Sequence, residues 1–400
     1  MTHVHEAVGF DPQDPAFVRD PYPVFTELRR AGRPLWHEHL GLWLAFSHAD
    51  ADAVLRDRAL GRIFTAREPV ELWETFNWLH ADSILDSEPP QHTRLRSLVA
   101  KAFARGHVER LRPRVRELAA GLLDEAVARG DGLDAIADYA EPLPVMVIAE
   151  LLAVPDADRH LLRPWSQAIV KMYEYDRTEA MEVEARTASA EFAAYVADLA
   201  RTRRGAPGDD LVSHLAAVED GGERLSEREL VATCVLLLNA GHEASVNGFG
   251  NGLVALLRSP AQLDLLRADP WGTADRAVEE MLRYDSPLQL FERTAKADTV
   301  VGGVPVAAGE KIASLLGSAN RDPAVFPDAD ALDVAREPNP HIAFGSGIHF
   351  CLGAPLARLE LQASLPLLLE RFPGLGLAAE PELRPTFVLR GYASVPLDLG

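Results

Sequence analysis

Apolar positions recur at helical spacing over residues 92–104, 107–129, 141–152, 178–203, 227–258, 272–285 and 354–371, which predicts amphipathic or buried helices there. Strand patterns are short: 34–46 (PLWHEHLGLWLAF) and 298–315 read as small hairpins bounded by Gly and Pro. Residues 227–258 hold no proline, so they predict one helix of roughly 48 Å. Periodicity lapses from about 320 to 345, a Pro-rich stretch whose length without regular structure marks it as functional. The only linker-like run is Arg203 to Gly208, and no internal repeat stands out. The pattern describes a single domain over 1–400, mainly α with small β-sheets.

Composition narrows the partners. The 400 residues carry 60 acidic and 40 basic side chains, a net charge of −20, and 48% hydrophobic content. Such a chain repels nucleic acid and anionic membranes. Nothing at the N-terminus reads as a signal peptide, and no apolar run is long enough for a membrane span. Two cysteines, Cys234 and Cys351, fit free thiols in a reducing compartment. The expectation is a soluble cytoplasmic monomer.

Candidate chemistry centres on residues 344–353, FGSGIHFCLG. A dinucleotide loop fails, because Phe350 stands where the third glycine belongs. Zinc would need four ligands, and His349 and Cys351 supply two. A buried structural cysteine is the bland reading. Against it, Gly345 and Gly347 free the backbone to fold closely around the sulfur. The run Ala354-Pro355-Leu356-Ala357-Arg358 opens a helix whose N-terminus favours a thiolate. A thiolate with close backbone suits an axial ligand to haem iron.

The run from Phe344 to Gly353, continued by Leu356-Ala357-Arg358, closely resembles the haem-binding signature of the cytochrome P450s. The resemblance extends from Pro21-Tyr22-Pro23 to Arg390-Gly391 and implies the triangular helical prism with a long central distal helix. It implies haem b held by Cys351, with Phe344, Gly345 and Gly353 around the sulfur and His349 on a propionate. Glu280 and Arg283 share a helix face. Alone they read as a surface pair; by resemblance they form the E-x-x-R motif with Arg336 as third member, which would explain the irregular stretch. His92 and Arg96 stack at i and i+4 and, with Arg293, match the family's propionate ligands, a sound use of charge-assisted bonds.

Within the long helix, Ala240, Ala244 and Gly248 recur every fourth residue as a small-residue stripe. Close helix packing and a flat ligand both explain it. Ala240 then faces the haem, and Glu243 becomes a proton-relay candidate. The segment resembles the family's distal A-G-x-E-T-T, but Ala244 replaces the oxygen-activating threonine. Ser245 cannot simply stand in, since adjacent helical side chains diverge by about 100°. Substrate-assisted proton delivery through Glu243 and bound water is expected, with a Ser245–water detour or poorly coupled chemistry as alternatives.

Phe64, Trp73, Phe76 and Trp78 fall in a poorly periodic segment where the family places a substrate-covering loop. Core burial is the competing reading. By resemblance Leu236, Leu237, Leu288, Leu290, Phe291, Val388 and Leu389 line the pocket with Ala240. The implied activity is oxygen insertion from O2 into a bulky apolar molecule such as a macrolide or other polyketide, terpenoid or steroid-like compound, by hydroxylation or epoxidation. Electrons come from NAD(P)H only indirectly, through a reductase and a ferredoxin or flavodoxin. The carrier would dock near 92–116, where eight Lys/Arg meet one acidic residue, Glu109. A non-catalytic haem protein and a peroxide-driven oxygenase are the alternatives.

Overall fold

The computed structural model describes residues 9–101, 108–130, 132–220 and 222–400. The expected helices 92–104 and 107–129 run partly into residues 102–107, outside that set. In chain order the principal helices are α1 (Glu74–Ala81), α2 (Gln91–Ala100), α3 (Arg112–Arg129), α4 (Pro142–Leu151), α5 (Arg159–Val170), α6 (Glu179–Gly205), α7 (Glu227–Leu257), α8 (Pro270–Tyr284) and α9 (Ala354–Arg371). Capping sets several limits. Asp269 accepts the Gly272 amide ahead of Pro270, so α8 starts two residues before the apolar pattern does. α7 opens in a capping box, with Ser226 and Glu229 each accepting the other's amide.

α7 is a single helix, as its proline-free sequence predicts, and α1, α4, α5, α6, α8 and α9 all pack on it. α1 and α5 lie outside the segments read as helical: α1 is only eight residues long, and α5 carries Pro164 in its interior. The main apolar cluster surrounds α7, while a second gathers Phe10, Phe17, Phe25, Phe46 and Phe387 beside the sheet.

The strands of the larger sheet and its adjoining hairpin are β1 (Leu35–His37), β2 (Leu42–Ala45), β3 (Leu60–Gly61), β4 (Phe291–Ala295), β5 (Thr299–Val301), β6 (Val304–Val306) and β7 (Lys311–Ser314). The 34–46 hairpin forms as β1–β2. The 298–315 segment divides: β5 and β6 pair with each other, whereas β7 leaves to run parallel to β2 and antiparallel to β4. The five-stranded order is β1-β2-β7-β4-β3. This register sets Arg293 opposite Ile312.

Residues 320–345 have almost no regular structure, and charged hydrogen bonds hold them. Glu280 and Arg283 are wholly buried, 0% exposed each. Arg283 grips the Glu280 carboxylate with two bonds, Nε at 2.7 Å and Nη2 at 2.8 Å. Its remaining hydrogens reach the carbonyls of Asn320, Ala329 and Ala331. Arg336 closes the set from the irregular stretch, its Nε at 3.1 and 3.2 Å from the two carboxylate oxygens. The Asp333 amide and the Asn339 side chain also donate to Glu280. One anion thus faces two cations with nearly every donor used, the condition under which a buried ion cluster is tolerable.

Glu280→Ala would strand both guanidiniums. The expected loss is on the order of 3–5 kcal/mol, read as a fall in the urea midpoint, with Glu280→Gln falling between. A midpoint within about 1 kcal/mol of wild type would contradict this account.

Candidate active site

Cys351 ends a loop that only glycine permits. Gly345 and Gly347 hold φ of +72° and +70°, and a Cβ on Gly347 would lie 2.6 Å from the Leu55 carbonyl oxygen. The Cys351 amide donates to the Phe344 carbonyl at 2.9 Å, curling the chain back on itself. The sulfur accepts from the amides of Gly353 and Ala354, at the start of α9. Burial nevertheless pushes the thiol above its usual range; those amides, with Arg96 and Arg358, only partly offset it. The helix N-terminus therefore does not by itself yield the thiolate expected from sequence. Arg358 covers the Phe344 ring at 4.4 Å.

Nearby stand the expected cationic groups. His92 and His349 lie with ring centroids 4.4 Å apart, and burial, then His349, draws His92 down to about 4. His349 Nε2 is 2.9 Å from Glu88, which also takes Lys296 and the Arg62 amide. Burial works to raise Glu88, but these donors hold it at about 2, while burial lowers His349; the pair is a neutral imidazole donating to a carboxylate. With the proton on Nε2, Nδ1 of the neutral ring is an acceptor, so donating from it to a further carboxylate requires the protonated ring. Arg96 donates to the Phe350 carbonyl at 2.7 Å. Arg293 is buried, bonds only the neighbouring Glu292 carbonyl, and faces no carboxylate at ion-pair distance among the described residues. Burial, then the Arg62 charge, pulls it down to about 9.

α7 is buried around most of its girth, yet Ala240 is exposed, and Leu236, Leu237, Gly241 and Ala244 are partly so. This face is the part of α7 that the neighbouring elements leave uncovered. Gly248 is not part of it: a Cβ there would meet Leu282 at 3.1 Å, so that glycine serves packing against α8. Glu243 bonds Arg384 at 2.6 Å and lies 3.8 Å from the buried His242, which burial draws down to about 4 and so leaves neutral. Ser245 turns the other way, onto Glu360 of α9. That carboxyl is pushed up to about 8 by burial, the Ser245 bond pulling slightly back.

The expected pocket residues divide. Leu236, Leu237, Leu288, Phe291 and Leu389 are partly accessible, and Leu288 bridges Leu389 backbone to backbone. Leu290 and Val388 are instead buried in the phenylalanine core, on which Leu288 also packs. Trp73 and Phe76 are buried in the main core, with Trp78 packed against it; Phe64 stacks on His80. The basic run 92–116 is also less open than its composition indicates, since Arg94, Arg112 and Arg114 are bound by Glu229, Glu109 and Glu150.

Comparison with known proteins resolves the class. The Cytochrome P450 family model matches residues 273–376. Nocardicin C N-oxygenase of Nocardia uniformis subsp. tsuyamanensis is 45% identical over 86% of this chain and 85% of its own. Cytochrome P450 monooxygenase PikC of Streptomyces venezuelae is 41% identical over 95% and 91%. The structure of the Bacillus subtilis 168 bacillaene polyketide synthase cytochrome P450 PksS superposes with a TM-score of 0.89 at 36% identity, covering 98% of this chain and 100% of that one.

The chain belongs to the cytochrome P450 family.

It is accordingly a haem b monooxygenase that consumes O2 and receives electrons from a redox partner. The residues of this P450 fit that cofactor. Arg293 is a buried cation with no anion of its own, the accessible small face of α7 admits a flat ring, and Gly353 leaves space beside Sγ. Sequence reasoning missed Arg62 and Glu88, which order the cations, and Arg384 and Glu360, which flank α7. Glu360 alone gave a signal, an acid inside an apolar run of α9.

Glu360 makes stability pH-dependent. Its folded pKa is raised, so the native state binds more protons than the unfolded state between about 4.5 and 8. Stability from this group is present below that window and is lost as pH rises through it, by at most about 1.4 kcal/mol per pH unit. Glu360→Gln should gain on wild type in thermal midpoint from pH 5 to pH 8. A constant difference would refute the shift.

Proposed function

We propose that Cys351 is the axial ligand of the haem iron and that His92, Arg96, Arg293 and His349 receive its propionates. The observation that carries the reading is the buried, anion-free guanidinium of Arg293, on the same side as a cysteine whose backbone is folded tightly about it. Bound haem supplies reductive O2 activation and oxygen insertion, with sulfur donation favouring O–O cleavage. Gly345, Gly353 and Phe344 shape the sulfur's surroundings. Glu280, Arg283 and Arg336 fix the stretch leading to it.

The chain's own part on the distal side is proton control. Ala244 offers no hydroxyl to the open face. Ser245, about 100° further round the helix, is turned onto Glu360. Glu243 is the acid on the Arg384 side, held by that salt bridge. A hydroxyl of the substrate therefore organises the water that Glu243 supplies.

The substrate is a bulky, largely apolar small molecule of the polyketide or macrolide, terpenoid or steroid-like kind, hydroxylated or epoxidised. Accessible Leu236, Leu237, Leu288, Phe291 and Leu389 support an apolar pocket, and a relative named for polyketide synthesis supports the class. The redox partner is a ferredoxin or flavodoxin. With Arg94, Arg112 and Arg114 bound internally, its docking face falls to Arg96 and the exposed Ile348 and Phe350 beside the cysteine loop. Among the described residues no helix is long and apolar enough to cross a membrane. The continuous core around α7 supports one domain, acting as a cytoplasmic monomer.

Reduced holoprotein under carbon monoxide should show the red-shifted Soret band of sulfur ligation, lost in Cys351→His. With a surrogate ferredoxin system, peroxide released per NADPH should rise when the substrate is replaced by its deoxy analogue. Equal coupling for the two would rule out substrate-assisted proton delivery.

A further inference from the structure

α8 carries two consecutive acids, and only Glu280 binds the irregular stretch through arginines. Glu279 is bound instead to α9, which packs along α8. Arg358 of α9 closes a fork on it, Nε at 2.6 Å from one carboxylate oxygen and Nη2 at 2.8 Å from the other. His341 adds a third contact, its Nε2 2.9 Å from that second oxygen. The Ala343 amide donates to Nδ1 of the same ring at 3.2 Å, so the proton sits on Nε2 and the imidazole donates to Glu279. Burial works to raise Glu279, but Arg358, then His341, hold it at about 2. Glu279 is therefore anionic, and Arg358 is one half of a neutral pair.

The pair stands beside the sulfur. The Arg358 guanidinium lies 4.4 Å from the Phe344 ring centroid and the His341 ring 6.1 Å from it, while the Phe344 carbonyl takes the Cys351 amide at 2.9 Å. Arg358 sits one turn into α9, whose opening amides, those of Gly353 and Ala354, donate to Sγ. Arg96 and Arg358 are the two cations that favour the thiolate against burial. They differ in what neutralises them. Arg96 has no carboxylate at ion-pair distance among the described residues and is open to a haem propionate, whereas Arg358 already holds Glu279. A lone cation at this place would stabilise the more electron-rich, reduced centre and weaken donation by the sulfur. Paired with a carboxylate, it does so far less.

We propose that Glu279 is a positioning residue for the haem–thiolate centre: by taking Arg358 with both oxygens it withholds that positive charge from the sulfur, keeping the reduction potential low and the thiolate a strong donor. Strong donation is what favours O–O cleavage. The fork fixes the guanidinium in one place, as a planar donor on a planar carboxylate should. The inference rests on Cys351 as the axial ligand. The competing role is a brace, because Glu279 also ties α8 and α9 to His341, which leads into the cysteine loop.

Potentiometric titration of the holoprotein tests it. Glu279→Gln leaves Arg358 charged and unpaired, and should raise the ferric–ferrous potential by about 59 mV, a tenfold change in a one-electron equilibrium. Arg358→Gln leaves the carboxylate alone and should lower it. The double variant should return to within about threefold of wild type in that equilibrium, because the two charges are removed together. Arg358→Lys keeps the charge, loses the fork, and should stay as close. The C–O stretch of the ferrous carbonyl complex should rise in Glu279→Gln and fall in Arg358→Gln, as sulfur donation weakens and strengthens. Salt should shrink both shifts, since the Arg358 and Glu279 side chains are 31% and 25% exposed. A brace alone would move both single variants the same way, since each loosens one contact. That result, an unmoved potential in Glu279→Gln, or loss of haem from it, would overturn the proposal. A wild-type carbonyl complex without the red-shifted Soret band counts against Cys351 as ligand instead, because the potentials then belong to another centre.

Discussion

The charge cluster of Glu280, Arg283 and Arg336 is the constraint on which the rest of this molecule rests. Chain between 320 and 345 has no helix or ladder to satisfy its carbonyls, yet it must deliver the cysteine loop to a fixed position beneath α7. Two guanidiniums supply the donors, reaching the carbonyls of Asn320, Pro327, Asp328, Ala329 and Ala331 while sharing one carboxylate. Because Glu280 and Arg283 lie on α8, the irregular segment is hung from a rigid helix that itself packs on α7 and α9. An apolar core of equal volume would have filled the space but could not have held open backbone in one shape.

The same economy of donors governs the cysteine loop and the cations beside it. The sulfur has two amide donors and two guanidiniums in range, yet burial still wins. Its anionic form would then depend on the proposed ligation to haem iron. Arg293 is the proposed counterpart, a buried cation with no carboxylate at ion-pair distance among the described residues. Arg62, by contrast, is bound by Asp86 at 2.6 Å and is structural. A paired and an unpaired arginine around one phenylalanine ring, Phe291, separate scaffold from binding site.

What sequence reveals depends on whether partners are near one another along the chain. The cysteine loop, the i,i+3 pair of α8 and the unbroken α7 are local features, and each is where it was expected. Leu290 and Val388 are expected in the pocket by resemblance, but both are buried in the phenylalanine core, a placement set by contacts with residues far away in sequence. Arg384 meets Glu243 across 141 residues, and Ser245 meets Glu360 across a similar gap; no spacing rule reaches that far. The stripe of Ala240, Ala244 and Gly248 looked uniform because small residues serve two purposes. Only packing distinguishes the accessible alanines from the glycine pressed on Leu282.

The replacement of the expected threonine by Ala244 acquires a physical meaning from what lies to either side. Glu243 is held by the Arg384 guanidinium, whereas Glu360 is buried and its carboxyl is pushed up to about 8. The helix is thus flanked by the Glu243–Arg384 salt bridge and by Glu360 of α9, to which Ser245 is committed. A hydroxyl at 244 would face the uncovered side between them; alanine leaves that step to whatever binds there. Water alone can fill such a space but has no fixed orientation against an alanine methyl. A substrate bearing a hydroxyl at the right place would fix it, so the chain makes productive chemistry depend on the molecule bound. Selectivity is then exercised twice, at the pocket wall and at the proton.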